Sequence, residues 1–262
     1  MMERQAGFSI IELLAAILIM GIAMSGLAVV FRMYDQTSLQ QDVRLGLEQN
    51  LRISMDTLTD ALRSAGYGVP SASLSSWITW VPSFTSNPKL VKVTGSPDTI
   101  SVARASSQAV ATLSAHVDVG ATTLTLSSAS AVDASSRSLL SIDGLENALV
   151  RSVSGTTVTI DTNPTTAGNQ GLARAYPAGT PVYRVDVLTF TVATDATGTS
   201  QLLRDAGQGG GAQAVADTIN GLTISVAQKR HTITLSATST TRDFRTGAYL
   251  TSSLTSAVSL RN

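Results

Sequence analysis

Residues 1–31 read MMERQAG-FSIIELLAAILIMGIAMSGLAVVF, and this stretch decides how the rest of the chain is read. Met1–Gly7 form a short polar leader carrying Arg4 and closed by a glycine. Phe8–Phe31 is an apolar run broken by one formal charge, Glu12. A helix needs about 20 apolar residues to cross a bilayer, so this run is long enough. A cleaved secretory signal has a shorter apolar region with its small residue on the far side. Here the small residue, Gly7, lies on the near side. A plain anchor is disfavoured by Glu12, because a carboxylate in hydrocarbon costs about 2.5–3.5 kcal/mol and normally has a partner. No other residue in Phe8–Phe31 is charged. A cut between Gly7 and Phe8 would create a cationic α-amino group at Phe8, four residues from Glu12.

Gly7-Phe8-Ser9-Ile10-Ile11-Glu12-Leu13-Leu14 resembles the processing site of type IV prepilins and of type II secretion pseudopilins. The resemblance implies a membrane prepilin peptidase that cuts after Gly7 and methylates the new N-terminal Phe8. It also implies an assembly role for Glu12, as the residue that pairs with a neighbouring subunit's amino terminus. A single-pass inner-membrane protein with a periplasmic head is the expected state before assembly, and a pilus tip at the cell surface the state after it.

The helical pattern continues past the span. Leu39, Val43, Leu47, Leu51, Met55, Leu58, Leu62 and Ala65 recur every three to four residues and form one stripe. Arg44, Glu48, Arg52, Asp56 and Asp60 occupy the other face, mostly as opposite charges four apart. One helix from Phe8 to about Ala65 is therefore expected, exposed in its first half and buried against a head in its second. Gly21, Ser25 and Gly26 lower helix propensity within the span. Small residues of this kind are common in membrane helices and allow close packing. Gly66 and Gly68 suit the C-cap and following turn, and Pro70 blocks continuation.

The ending Leu62-Arg63-Ser64-Ala65-Gly66-Tyr67-Gly68 is similar to that of PilW-type minor pilins and the related J-type pseudopilin of type II secretion. So are Val185–Ala193 with its Asp195–Gly198 turn and Gln201–Arg204, the segment Ala216–Leu222, and the closing Ala257–Asn262. The resemblance implies an α+β pilin fold: a long N-terminal helix, part membrane span and part amphipathic stalk, packed on an antiparallel β-sheet head. The expected divisions are a leader at 1–7, a transmembrane half-helix at 8–31, a stalk at 32–66, and an αβ-loop with the first strands at 67–115. A β-rich insertion follows at 116–184, and a C-terminal sheet at 185–262. Trp77, Trp80, Pro82 and Pro88 fall in the αβ-loop, followed by a strand at Thr99–Ala103. Within the insertion, strands are expected at Thr122–Leu126, Leu139–Ile142, Ala148–Val153, Thr156–Ile160 and Pro181–Val185, with a Ser154-Gly155 hairpin turn. The insertion reads either as a displayed binding surface or as bulk that widens the head.

Composition narrows the function classes. Lys and Arg number 18 against 18 Asp and Glu, so a neutral chain without basic runs offers no footprint for nucleic acid. Cysteine is absent, which removes disulfides and thiolate metal sites. The G-x-S-x-G, H-E-x-x-H and P-loop patterns are missing, so no catalytic residue, cofactor or metal site is expected. Gln208–Gly211 reads as a loop, His116 and His231 as ordinary strand residues, and Asp195–Gly198 as a turn without the ligand alternation of a calcium loop. An acid–base role for Asp217 would need a distant partner.

Three classes of function remain. The first is a structural minor pilin in a tip or initiation complex that primes assembly. It would work with other minor pilins, the major pilin, the peptidase, the inner-membrane assembly platform and, beforehand, membrane lipid. The second is a tip-displayed adhesin or binding module using the insertion. The third, a membrane-anchored enzyme, has no constellation to support it.

Overall fold

The computed structural model describes residues 10–70, 91–95, 97–132, 138–207, 210–227 and 230–259. Gly7, Phe8, the Trp77–Pro88 segment, Gln208-Gly209 and the closing Leu260-Arg261-Asn262 lie outside the described residues. Among the described residues, one long helix, α1 (Ile10–Arg63), is followed by thirteen strands. These are β1 (Val91–Gly95), β2 (Asp98–Ala105), β3 (Ala111–Thr112), β4 (Thr123–Thr125), β5 (Leu139–Ile142), β6 (Glu146–Ser154) and β7 (Thr157–Asp161). Then come β8 (Pro181–Thr194), β9 (Ser200–Asp205), β10 (Gln213–Asp217), β11 (Ile219–Ala227), β12 (Arg230–Arg242) and β13 (Tyr249–Ser259). All pairings are antiparallel, so the architecture is α+β, a single helix packed on antiparallel sheets.

The helix is uninterrupted across Gly21 and Gly26, and a Cβ added at either would meet nothing within 4 Å. Its second half buries Leu47, Leu51, Met55, Leu58, Ala61 and Leu62 in one core with Ile100, Phe190, Leu202, Leu222, Ile233, Leu235 and Val258. Each fully buried Leu or Met contributes about 1.5–3 kcal/mol, enough to hold a stalk that also projects away from its head. The expected stripe is buried from Leu47 to Leu62, while Leu39 is 64% exposed. Among the described residues the expected charge pairs along the helix are not within ion-pair distance; the stalk's ion pair is Asp60 with Arg104 of β2, at 3.4 Å.

Two glycines end the helix as their sequence pattern suggests. Gly66 and Gly68 both have positive φ, 74° and 62°. The Gly66 amide donates to the Ala103 carbonyl at 2.9 Å and the Ala105 amide to the Tyr67 carbonyl at 2.8 Å, so the turn docks on β2. A Cβ at Gly68 would lie 2.9 Å from that of Ala105, so a side chain here meets both strain and crowding.

The head is organised around β8. One edge of this strand pairs first with β3 and then with β2; the other pairs first with β5 and then with β9. The main sheet runs β1-β2-β8-β5-β6-β7-β4, with β9 and β10 joined through β8, and a second sheet runs β11-β12-β13. The division expected at 184/185 therefore falls inside one continuous strand. Val182 packs in the core of the inserted strands, Val185 and Val187 in a middle cluster, and Leu188 and Phe190 against the helix core. The inserted strands carry their own buried set, including Leu113, Leu124, Ile142, Val150, Ile160 and Tyr176. Asp161 is buried beside them and pairs with Arg151 Nε at 3.1 Å and with its Nη2.

Candidate assembly face and membrane-proximal helix

Every residue from Ile10 to Gln36 is exposed. The stretch holds an 18-residue window of mean hydropathy 2.6, none of it buried. Ile10 to Phe31 is about 33 Å long as a helix, close to the roughly 30 Å hydrocarbon thickness of a bilayer. Side chains such as Ile11 (75% exposed), Ile22 (67%) and Phe31 (60%) are too apolar and too contiguous for an aqueous surface. The surface has two physically acceptable environments, lipid and other helices.

Glu12 lies in the first turn of α1 and is exposed. No cation among the described residues lies within ion-pair distance of it. Its described neighbours along the helix are Ile, Leu and Ala. Ser25 donates its hydroxyl to the Gly21 carbonyl at 2.6 Å, which removes a polar group from the surface of the span.

Further exposed apolar groups extend this face onto the stalk. Leu39, Leu45 and Ile53 are 64%, 63% and 43% exposed, although Leu47 and Leu51 beside them are buried. Where α1 meets the head, Gln36, Leu39, Gln40 and Val43 face Thr241–Phe244 and Leu250 across a cleft of about 270 Å³. Nothing in the sequence singles out this neck, because neither half carries a recognisable motif.

The other singled-out residues lie in the head. His116 sits on the surface 3.1 Å from Asp118 Oδ1. His231 is buried in β12 between Val226 and Val258 of the flanking strands. The Gln201 amide lies 2.8 Å from Asp217 Oδ1 and 3.4 Å from Asp195 Oδ2. Asp195 is a turn residue. The Thr197 hydroxyl and the Thr199 and Thr197 amides donate to it and hold its carboxyl below the usual range. No group of three or more His, Cys, Asp or Glu suited to a metal occurs among the described residues.

Residues 2–28 match the family described as the prokaryotic N-terminal methylation motif. No curated protein and no solved structure matches the chain. The matched segment contains Gly7, Phe8 and Glu12 and continues into the apolar half of α1, which fits membrane anchoring. A methylation motif on a single long helix that packs against antiparallel sheets supports a place for this chain among the type IV prepilins and pseudopilins.

Proposed function

We propose that this chain is a minor pilin: a structural subunit of a type IV pilus tip or initiation complex that primes filament assembly. One observation carries the proposal. Glu12 stands in the exposed apolar half of α1, inside the matched motif, with no cation within ion-pair distance among the described residues. Prepilin peptidase cuts between Gly7 and Phe8 and methylates Phe8, leaving a cationic amine at the depth of Glu12. Before assembly the span rests in the inner membrane with the head in the periplasm. The assembly platform then brings it against other minor pilins and the major pilin, where a neighbour's amine compensates Glu12 and sets axial register. A paired charge in a low dielectric is stabilised by several kcal/mol relative to one left alone, but by little relative to an apolar replacement.

The test is the ratio of this protein in sheared filaments to that in membranes, with intact mass confirming a mature chain beginning at Phe8. Glu12→Leu is expected to insert and be processed normally yet enter filaments poorly, with Glu12→Asp intermediate. Recovery of Glu12→Leu at the wild-type ratio rejects the register role.

A second reading is favoured by the separate core of the inserted strands, which would let them present a rigid surface at a tip. In that reading the chain is an adhesin or binding module. A J-type pseudopilin of type II secretion shares the helix chemistry; loss of protein secretion without loss of pili on deletion distinguishes it.

A further inference from the structure

The turn that joins β12 to β13 reaches toward the apolar half of α1. Asn50 donates to the Asp217 carbonyl at 3.1 Å, and the Thr238 amide donates to the Thr218 carbonyl at 3.0 Å. Thr238 therefore sits at the level of Asn50. Four to six residues later, Arg242, Asp243 and Phe244 sit beside Gln36–Val43. β12 thus runs toward the N-terminal end of the helix and delivers its turn to the neck.

The level of that turn is set by the helix. Gln36 lies five residues beyond Phe31, about 7 Å along the axis. A bilayer's headgroup layer adds about 5–8 Å on each side of the hydrocarbon. Val43 lies about 18 Å beyond Phe31, so if Phe31 marks the edge of the hydrocarbon, only the membrane-side end of the turn lies at the outer limit of the headgroup layer, within reach of an arginine side chain.

Its chemistry suits that layer. Phe244 is 41% exposed with the Arg245 guanidinium 5.3 Å from its ring centroid. Arg242 stands 4.9 Å over the ring of Tyr249, itself 48% exposed. Asp243 does not cancel these cations toward the outside. Its carboxylate accepts the Arg245 amide at 2.7 Å and the Thr246 amide at 2.8 Å, and so is turned into the loop. Tyr34, 73% exposed, and the exposed Arg32 add an aromatic and a cation on the helix. Aromatic rings collect at the edge of the hydrocarbon, and long cationic side chains lay their stems on apolar surface while the charge meets phosphate.

The geometry points to the β12–β13 turn as a phospholipid contact, in which Phe244 packs among the headgroups and Arg242 and Arg245 reach lipid phosphate. It holds the head against the membrane before assembly. The inference rests on the apolar half of α1 being membrane-spanning, and one control isolates that premise.

The chain lacks cysteine, so a single introduced cysteine places a fluorophore uniquely. The full chain is reconstituted at low density into phosphatidylethanolamine–phosphatidylglycerol vesicles, labelled at Thr246→Cys, Leu18→Cys or Ala167→Cys. Ala167 is an exposed loop residue of the inserted strands, beyond the far end of α1. Quenching by aqueous iodide and by headgroup-depth nitroxide lipid is then read. The expected result is Thr246→Cys several-fold less open to iodide than Ala167→Cys and quenched by the nitroxide lipid. Phe244→Ser with Arg245→Glu, in the Thr246→Cys background, should return it to the Ala167→Cys values. Equal iodide access at positions 246 and 167, with Leu18→Cys shielded, overturns the contact and leaves the span intact. An iodide-accessible Leu18→Cys overturns the span itself. Protection at position 246 that appears only when protein density is raised also overturns the lipid contact, in favour of a second subunit on the turn.

Discussion

Leu58→Ala and Leu45→Ala make the same chemical change on the same helix, yet the structure assigns them very different costs. Leu58 is fully buried in the core formed with both sheets, whereas Leu45 is 63% exposed. Truncating a buried leucine removes its transfer free energy and leaves a cavity, about 2–5 kcal/mol together. Truncating Leu45 away from packed neighbours costs about 0.5 kcal/mol or less. Since 1.4 kcal/mol is a tenfold change in equilibrium constant, the unfolded fraction of the head should rise by at least about tenfold for one variant and scarcely for the other. The assay is urea unfolding followed by the β-sheet circular dichroism signal, in micelles that keep the apolar half of α1 solvated. The midpoint should fall for Leu58→Ala at constant slope. Equal midpoints for the two variants would refute the packing of the stalk against the head. Incorporation into filaments should show the reverse order, with Leu45→Glu recovered poorly at unchanged head stability, because Leu45 belongs to the exposed apolar face.

Asp161 gives a pH-dependent test. Burial alone would raise its pKa, but Arg151 and the amides of Gln170 and Asn163 outweigh burial and hold it below 3.8. Its stabilising effect is therefore present above about 3.8 and lost as pH falls through the lowered folded value. Arg151→Ala should cost about 1–3 kcal/mol at neutral pH in thermal unfolding, and the difference from wild type should shrink below pH 3.8. Gly68→Ala should lower the melting temperature, because it combines a φ of 62° with the 2.9 Å approach to Ala105; a cost of about 1–3 kcal/mol is expected. Ser54 is buried on the stalk with no hydrogen-bond partner for its hydroxyl among the described residues. Ser54→Ala should consequently leave stability unchanged or raise it by up to about 1 kcal/mol, measured by the same unfolding.

Much of this architecture is legible along the chain because its signals are local. The apolar run and the three-to-four spacing to Leu62 define α1, and Gly66, Gly68 and Pro70 mark its end through backbone conformations a few residues can specify. Strands Asp98–Ala105, Leu139–Ile142, Glu146–Ser154 and Thr157–Asp161 likewise follow from β-branched alternation beside turn residues, and they occur close to where the pattern puts them. Glu12 is legible for another reason: a charge in an apolar run is costly whatever the fold. Tertiary pairing settles the rest. β8 pairs with β2, β3, β5 and β9 at different points along its length, and no local pattern encodes which partner meets which residue. That division lets one strand, which crosses the expected 184/185 division, serve two cores. The exposure of Leu45 depends on which face of the helix the sheets cover. The ion pair at Asp161 depends on two strands aligning, and the arginine–aromatic turn at the neck on β12 running toward the membrane-proximal end of α1. Periodicity records that a face is apolar; it takes the packed chain to decide which apolar residues are covered and which remain available to lipid or to another subunit.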